Sequence, residues 1–180
     1  MTDLLQQYGS DLAIVALDQL KLSFQATLTR VWAPCGQTPL VRVTPQRDHV
    51  HFYGALEVRA GRDAPQQTAQ VTADFIRLLL LLFPHRHLLL LLDRAAWHPG
   101  PPIDQLLDEN PRLELMYFPV ACPDLNPQEH VWEQAREAIS HNHTYRGFQT
   151  LVEDFDTFLN ETPFETSFMQ KYAPAILCEL

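Results

Sequence analysis

The 180-residue chain is poor in several features that would announce particular functions. It has only two lysines, Lys21 and Lys171, among 13 basic residues, and those 13 face 22 acidic ones, a formal net charge of −9. That balance argues against a free-standing, sequence-specific DNA-binding module, whose affinity for phosphate comes from clustered Lys and Arg. The three cysteines, Cys35, Cys122 and Cys178, are odd in number, widely separated and without a CxxC spacing. No disulfide framework is expected from them, and a reducing compartment fits. The amino terminus places acids ahead of its first apolar stretch and has no basic segment, unlike a secretory signal peptide. The longest apolar stretch, 78–92, is broken by Pro84, His85, Arg86 and His87, so it cannot span a bilayer. No internal repeat and no low-complexity linker is present.

What remains is the composition of a globular protein, 46% hydrophobic and 19% charged. The length suits one domain, 1–180, with its core over about 10–160. Charge is polarised along it. Residues 30–62 hold Arg30, Arg42, Arg47, Arg59 and Arg62 against Asp48 and Glu57, whereas 104–137 hold eight carboxylates against Arg112 and Arg136. Eleven of the 13 basic residues are Arg, the side chain that grips phosphate in bidentate fashion.

Periodicity divides the chain into an extended first part and an alternating second part. Leu12 to Leu17 is a short apolar run ending in Asp18, and Ser23 to Trp32 alternates in the way of a half-buried strand. After turn residues Pro34, Gly36 and Pro39, strands resume at Val41 to Val43 and His49 to Val58. The links are too short for crossover helices, so three antiparallel strands are expected. Helical spacing covers Thr68 to Phe83, Ile103 to Asn110, Pro127 to Ile139 and Phe148 to Asn160. Between the helices lie Leu88 to Leu92, a solid apolar run expected to be covered on both faces, and Leu113 to Phe118. The expected fold is α/β and ribonuclease H-like, a mixed five-stranded sheet of three antiparallel strands followed by parallel βαβ units, flanked by helices.

Ligand chemistry in open α/β sheets gathers outside the carboxyl ends of strands. Asp18 and Asp93 each follow an apolar run and emerge there; if their strands are neighbours, the two anions repel unless a divalent cation lies between them. A third carboxylate sits in Cys122-Pro-Asp-Leu-Asn-Pro-Gln-Glu-His-Val-Trp132. There Asn126 is a good N-cap, Pro127 suits the first helical position, and Glu129 falls in the first turn on the face it shares with Trp132 and Glu133. Such oxygen-only ligands suit Mg²⁺ or Mn²⁺. Each residue has a plainer reading: a strand-ending Asp can serve a turn, and Glu129 can close a capping box with Asn126.

Three segments resemble the DDE catalytic domain of insertion-sequence transposases, bacterial relatives of mariner elements. They are Val31 to Pro39 followed by His51 to Leu56; Leu89 to His98, with a His five residues after the Asp; and Pro123 to Trp132, the most specific of the three. Thirty-five residues separate Asp93 from Glu129, near the family's spacing. The resemblance implies that Asp18, Asp93 and Glu129 are catalytic and metal-binding. It implies two Mg²⁺ (or Mn²⁺) ions serving DNA cleavage and strand transfer, and a DNA partner comprising transposon ends and target. Arg30, Arg42, Arg47, Arg94 and His98 become candidate DNA contacts. Gln19 stands where relatives usually carry Glu, and Arg94 where they often carry Asn. Such transposases ordinarily carry helix-turn-helix domains ahead of the catalytic domain, and only about ten residues precede the first expected strand. A separate DNA-binding subunit or a missing N-terminal domain is therefore expected. So are a homodimer as one candidate assembly, a bacterial cytoplasmic location with nucleoid association on DNA, and no membrane partner.

Other classes stay open at this point. Six of the eight histidines form HxH pairs, His49/His51, His85/His87 and His141/His143, a pattern that suits zinc. A catalytically inactive, transposase-derived domain acting through protein contacts would suit the acidic C-terminal third. A nuclease of RNA–DNA hybrids or junctions would share the same fold.

Overall fold

A computed structural model describes residues 2–41, 43, 45–58, 62–63, 66–67, 72–94, 100–120 and 122–164. Its centre is a mixed sheet. Strand β1 (Leu12–Ser23) pairs antiparallel with β2 (His49–Glu57) and parallel with β5 (His87–Leu92), which pairs parallel with β6 (Leu113–Tyr117). Two dipeptide strands, β3 (Arg62–Asp63) and β4 (Gln66–Gln67), pair antiparallel with β2 at its outer edge, so the spatial order is β3-β2-β1-β5-β6. Helices α2 (Thr72–Leu82) and α3 (Pro101–Glu109) cover one face. The other carries α4 (Pro127–Ala135), a following π-helical turn (Arg136–Ser140) and α5 (Phe148–Glu161) at one end, and α1 (Thr2–Tyr8) at the other.

The mixed α/β architecture is as expected, but the sheet has four long strands rather than five. The segment Ser23 to Trp32 is not the second strand. Phe24 and Ala26 are buried, but Leu28, the next residue of the alternation, is exposed, and the chain bends there and leaves the sheet. Thr27 makes an isolated bridge to His141, and Asn142 accepts from Thr29 N and donates to Thr29 O and Oγ1. What the alternation reports is the packing of Phe24 on His143 and Phe148, not strand pairing. Val41 and Val43 are likewise outside any strand, and the third antiparallel position is filled by β3 and β4 instead. Helix α1 was not anticipated.

Strand β1 changes character along its length, and this positions the site. Leu12 to Leu17 are all buried, because β5 flanks Leu12 to Ala16, β2 flanks the strand from Val15 on, and helices cover both faces. The β5 pairing ends at Ala16↔Leu91, after which β1 continues beside β2 alone and burial alternates. Asp18 thus lies inside a twelve-residue strand, not at its end. It stands at the point where the sheet loses a neighbour.

At the opposite end, Arg112 binds the turn between α2 and β5. It donates to the carbonyls of Leu80 (2.7 Å), in the last turn of α2 where carbonyls lack helical partners, and of Phe83 (2.6 Å) and Arg86 (3.0 Å) in the turn that follows. Arg112→Met removes all three bonds while keeping the apolar stem, and is expected to cost about 3 kcal/mol, read as a lower urea midpoint at unchanged slope.

Candidate active site

Ala16 of β1 lies opposite Leu91 of β5, so Asp18 within β1 and Asp93 just after β5, each two residues further on, lie at the same level. Glu129 comes from the far side of the fold, on the first turn of α4. Asn126 caps that helix, its side chain accepting from Gln128 N at 3.1 Å, and Pro127 occupies the first helical position. The reciprocal capping box does not form: Asn126 N–H donates to the Pro123 carbonyl of the preceding 3₁₀ turn at 2.8 Å. Glu129 instead shares with Asp18 and Asp93 the lining of one cavity of about 380 Å³, together with Arg94, Cys122 and Asn126.

The helix is fastened to β1 on both sides of Glu129. Asn126 Nδ2 donates to the Leu17 carbonyl at 3.2 Å, and Trp132 Nε1 donates to Asp18 Oδ2 at 3.1 Å. Trp132 is fully buried, and it can lie there because Gly54, the cross-strand partner of Asp18, has no side chain. A Cβ on Gly54 would stand against Gln128 Nε2 and 2.5 and 2.6 Å from the indole Cζ2 and Cη2. The Trp–Asp contact was missed from sequence; a glycine in the middle of an apolar strand was the available sign of close approach.

Electrostatically the cavity is under strain from its own carboxylates. Burial is the largest cause that pushes the Asp18 carboxyl up to about 7, followed by the charge of Glu129 and, more weakly, of Asp93; hydrogen bonds from Gln19 N–H and the Trp132 indole oppose the rise. The family of ligands on offer, three carboxylates with no imidazole among them, fits a hard divalent cation in kind, and mutual repulsion is what a cation would relieve. Among the described residues, no three His, Cys, Asp or Glu side chains are yet gathered closely enough to enclose an ion.

Comparison with known proteins gives the family and the fold. Residues 13–152 match the family model described as DDE superfamily endonuclease. The chain belongs to that family. This DDE domain is 24% identical over 153 residues to an uncharacterized 39 kDa protein of the IS630 insertion element from Shigella sonnei, covering 82% of the chain and 45% of the relative. It is 33% identical over 66 residues to an uncharacterized protein of Sinorhizobium fredii, covering 37% of the chain and 46% of the relative. The chain thus spans just under half the length of these relatives. In fold it is similar to the Mos1 transposase in a paired-end complex with the left transposon end (TM-score 0.63, 14% identity, 91% of this chain and 52% of that one). It is also similar to the isolated catalytic domain of Mos1 mariner transposase (TM-score 0.58, 12% identity, 98% and 83%).

The DDE domain distributes the other sequence candidates unevenly. Arg94 lines the cavity, whereas Arg30 and Arg47 are exposed on the irregular segment between β1 and β2. Arg42 and His98 lie outside the described residues. The histidine pairs are not brought together among those residues. His49 and His51 face each other edge-on at 5.6 Å, His87 bonds Glu114 and stacks on Tyr8, and His143 packs on Phe24 with Nδ1 accepting from Tyr145 N. No helix among the described residues is long and apolar enough to cross a membrane.

Proposed function

We propose that this chain is the catalytic domain of a transposase, cleaving and joining DNA phosphodiesters with Asp18, Asp93 and Glu129 as its triad. The observation that carries the reading is the convergence of these three carboxylates, from β1, the end of β5 and α4, on one cavity. Asp18 and Glu129 hold fixed positions because α4 is bonded to β1 at Leu17 and Asp18, and Asp93 closes the third side. Two Mg²⁺ or Mn²⁺ ions, once bound, would supply charge stabilisation for both the attacking and the leaving oxygen. Arg94, at the cavity wall, is placed to hold a non-bridging phosphate oxygen, a task suited to its guanidinium. DNA ends and target are the partners on this reading, in the bacterial cytoplasm. The net charge of −9 leaves duplex recognition to a helix-turn-helix unit outside this domain.

A nicking assay on supercoiled and transposon-end DNA with Mg²⁺ or Mn²⁺ tests it. Wild type should nick, and Asp93→Asn should lose roughly a hundredfold or more of the activity. Equal activity in both overturns the site. Silence that lifts when a helix-turn-helix subunit is added in trans places recognition elsewhere; silence that persists favours an inactive domain acting through protein contacts.

A further inference from the structure

We propose that Trp132 is a positioning residue for the metal-binding carboxylate of Asp18, and that the small size of Gly54 is what admits it; this rests on the reading of Asp18 as a metal ligand. Residues 126, 129 and 132 follow one another at i, i+3 and i+6, so they rise along one side of α4 at about 1.5 Å per residue. The outer two are both bonded to β1, Asn126 to the Leu17 carbonyl and Trp132 to Asp18 Oδ2, and the carboxylate between them lines the cavity. The spacing of Asp18 from Glu129 is therefore set by two hydrogen bonds, one on either side.

The indole does more than fill space. At the point where β1 parts from β5, the Asp18 carboxylate is held by the Gln19 N–H of its own strand and by the Trp132 indole. The indole N–H takes a lone pair of Oδ2 and the Gln19 N–H takes another of the carboxylate's lone pairs, and the rest are left for the cavity that Asp18 lines. An indole has one donor and no acceptor, so it can bond the ionised carboxylate and cannot turn to compete for the cation. Full burial holds the ring still: it packs with Phe52, Leu56, Val131 and Phe155, over the gap that Gly54 leaves. Groups that orient a metal ligand in this way typically change metal affinity by 10–100-fold when removed.

The test is Mn²⁺ binding by the full chain without DNA, read from the electron paramagnetic resonance signal of free Mn²⁺. Wild type is compared with Trp132→Phe, with a variant carrying 3-benzothienylalanine at position 132, and with Asp18→Asn. The benzothiophene keeps the shape of indole and lacks its N–H, so it separates the hydrogen bond from the packing. Near-ultraviolet circular dichroism confirms folding of each. The expected result is a dissociation constant for Mn²⁺ raised about tenfold or more in the benzothiophene variant, and at least as much in Trp132→Phe, with Asp18→Asn weaker still. Wild-type affinity in the benzothiophene variant, while Asp18→Asn has lost binding, overturns the positioning role and leaves the triad standing. Wild-type affinity in Asp18→Asn, or no binding by wild type, overturns the triad reading and this inference with it.

Discussion

Gly54→Val is expected to destabilise the domain by about 3 kcal/mol or more, the upper part of the range for overpacking a filled core. Even the first added carbon would fall 2.5 Å from an indole carbon of Trp132, and the rest of the valine side chain has nowhere else to go. Trp132 cannot yield, since it is fully buried and lies beneath α5 within the Phe52, Phe155 and Leu159 cluster. Gln128, whose side-chain amide is buried beside the same gap, blocks the other direction. Relief therefore requires α4 to lift from β1, which also breaks the bonds to Leu17 and Asp18. Urea unfolding at neutral pH measures the loss, and Gly54→Ala should show a smaller effect of the same sign. A valine variant as stable as wild type would show that the indole does not occupy this gap.

Asp18→Asn is expected to do the opposite and stabilise the metal-free protein at pH 8 by about 2 kcal/mol, allowing for the solvent access that remains to this half-buried group. Its carboxyl is pushed up to about 7 in the folded state, mainly by burial and then by Glu129, from 3.8 in an open chain. Between those values the folded state binds the extra proton, so stability falls as pH rises through this window and the full cost is present above about 7. Asparagine has no charge to desolvate, and its carbonyl oxygen can still accept from the Trp132 indole. In the presence of EDTA the variant should melt roughly 5 °C above wild type at pH 8 and close to it at pH 4. Mn²⁺ should then raise the melting temperature of wild type at pH 8 and leave the variant unchanged, because only the former gains by binding. Equal melting temperatures at pH 8 would mean that burial and Glu129 impose no penalty on the Asp18 carboxylate. The predicted cost is the signature of a site whose acidic groups are held together at the expense of stability.

Much of the second half of the molecule could be read from residue patterns alone. The run Leu88 to Leu92 is buried at every position, as a central parallel strand must be, and α5 spans Phe148–Glu161 with Leu151, Phe155 and Leu159 facing inward. Asn126 and Pro127 mark the start of α4 by local chemistry that needs no tertiary partner. The first half was less legible. Alternation in Ser23 to Trp32 says only that every second side chain is buried; it does not say by what. Here only Phe24 and Ala26 are buried, Phe24 against His143 and Phe148 more than a hundred residues away, while Leu28 is exposed. The same blindness misplaced the end of β1. Its apolar run stops at Leu17, but Leu20 and Leu22 resume on the face that α4 and α5 cover.

The sequence by itself determined the helical setting of Glu129 and the central strand that delivers Asp93, because each follows from short-range pattern and capping. Tertiary structure alone decided that Asp18 sits inside a strand, that β5 stops beside it, and that an indole reaches it through the space above Gly54. Those facts depend on which surfaces meet across 114 residues of chain, and no local period encodes that meeting.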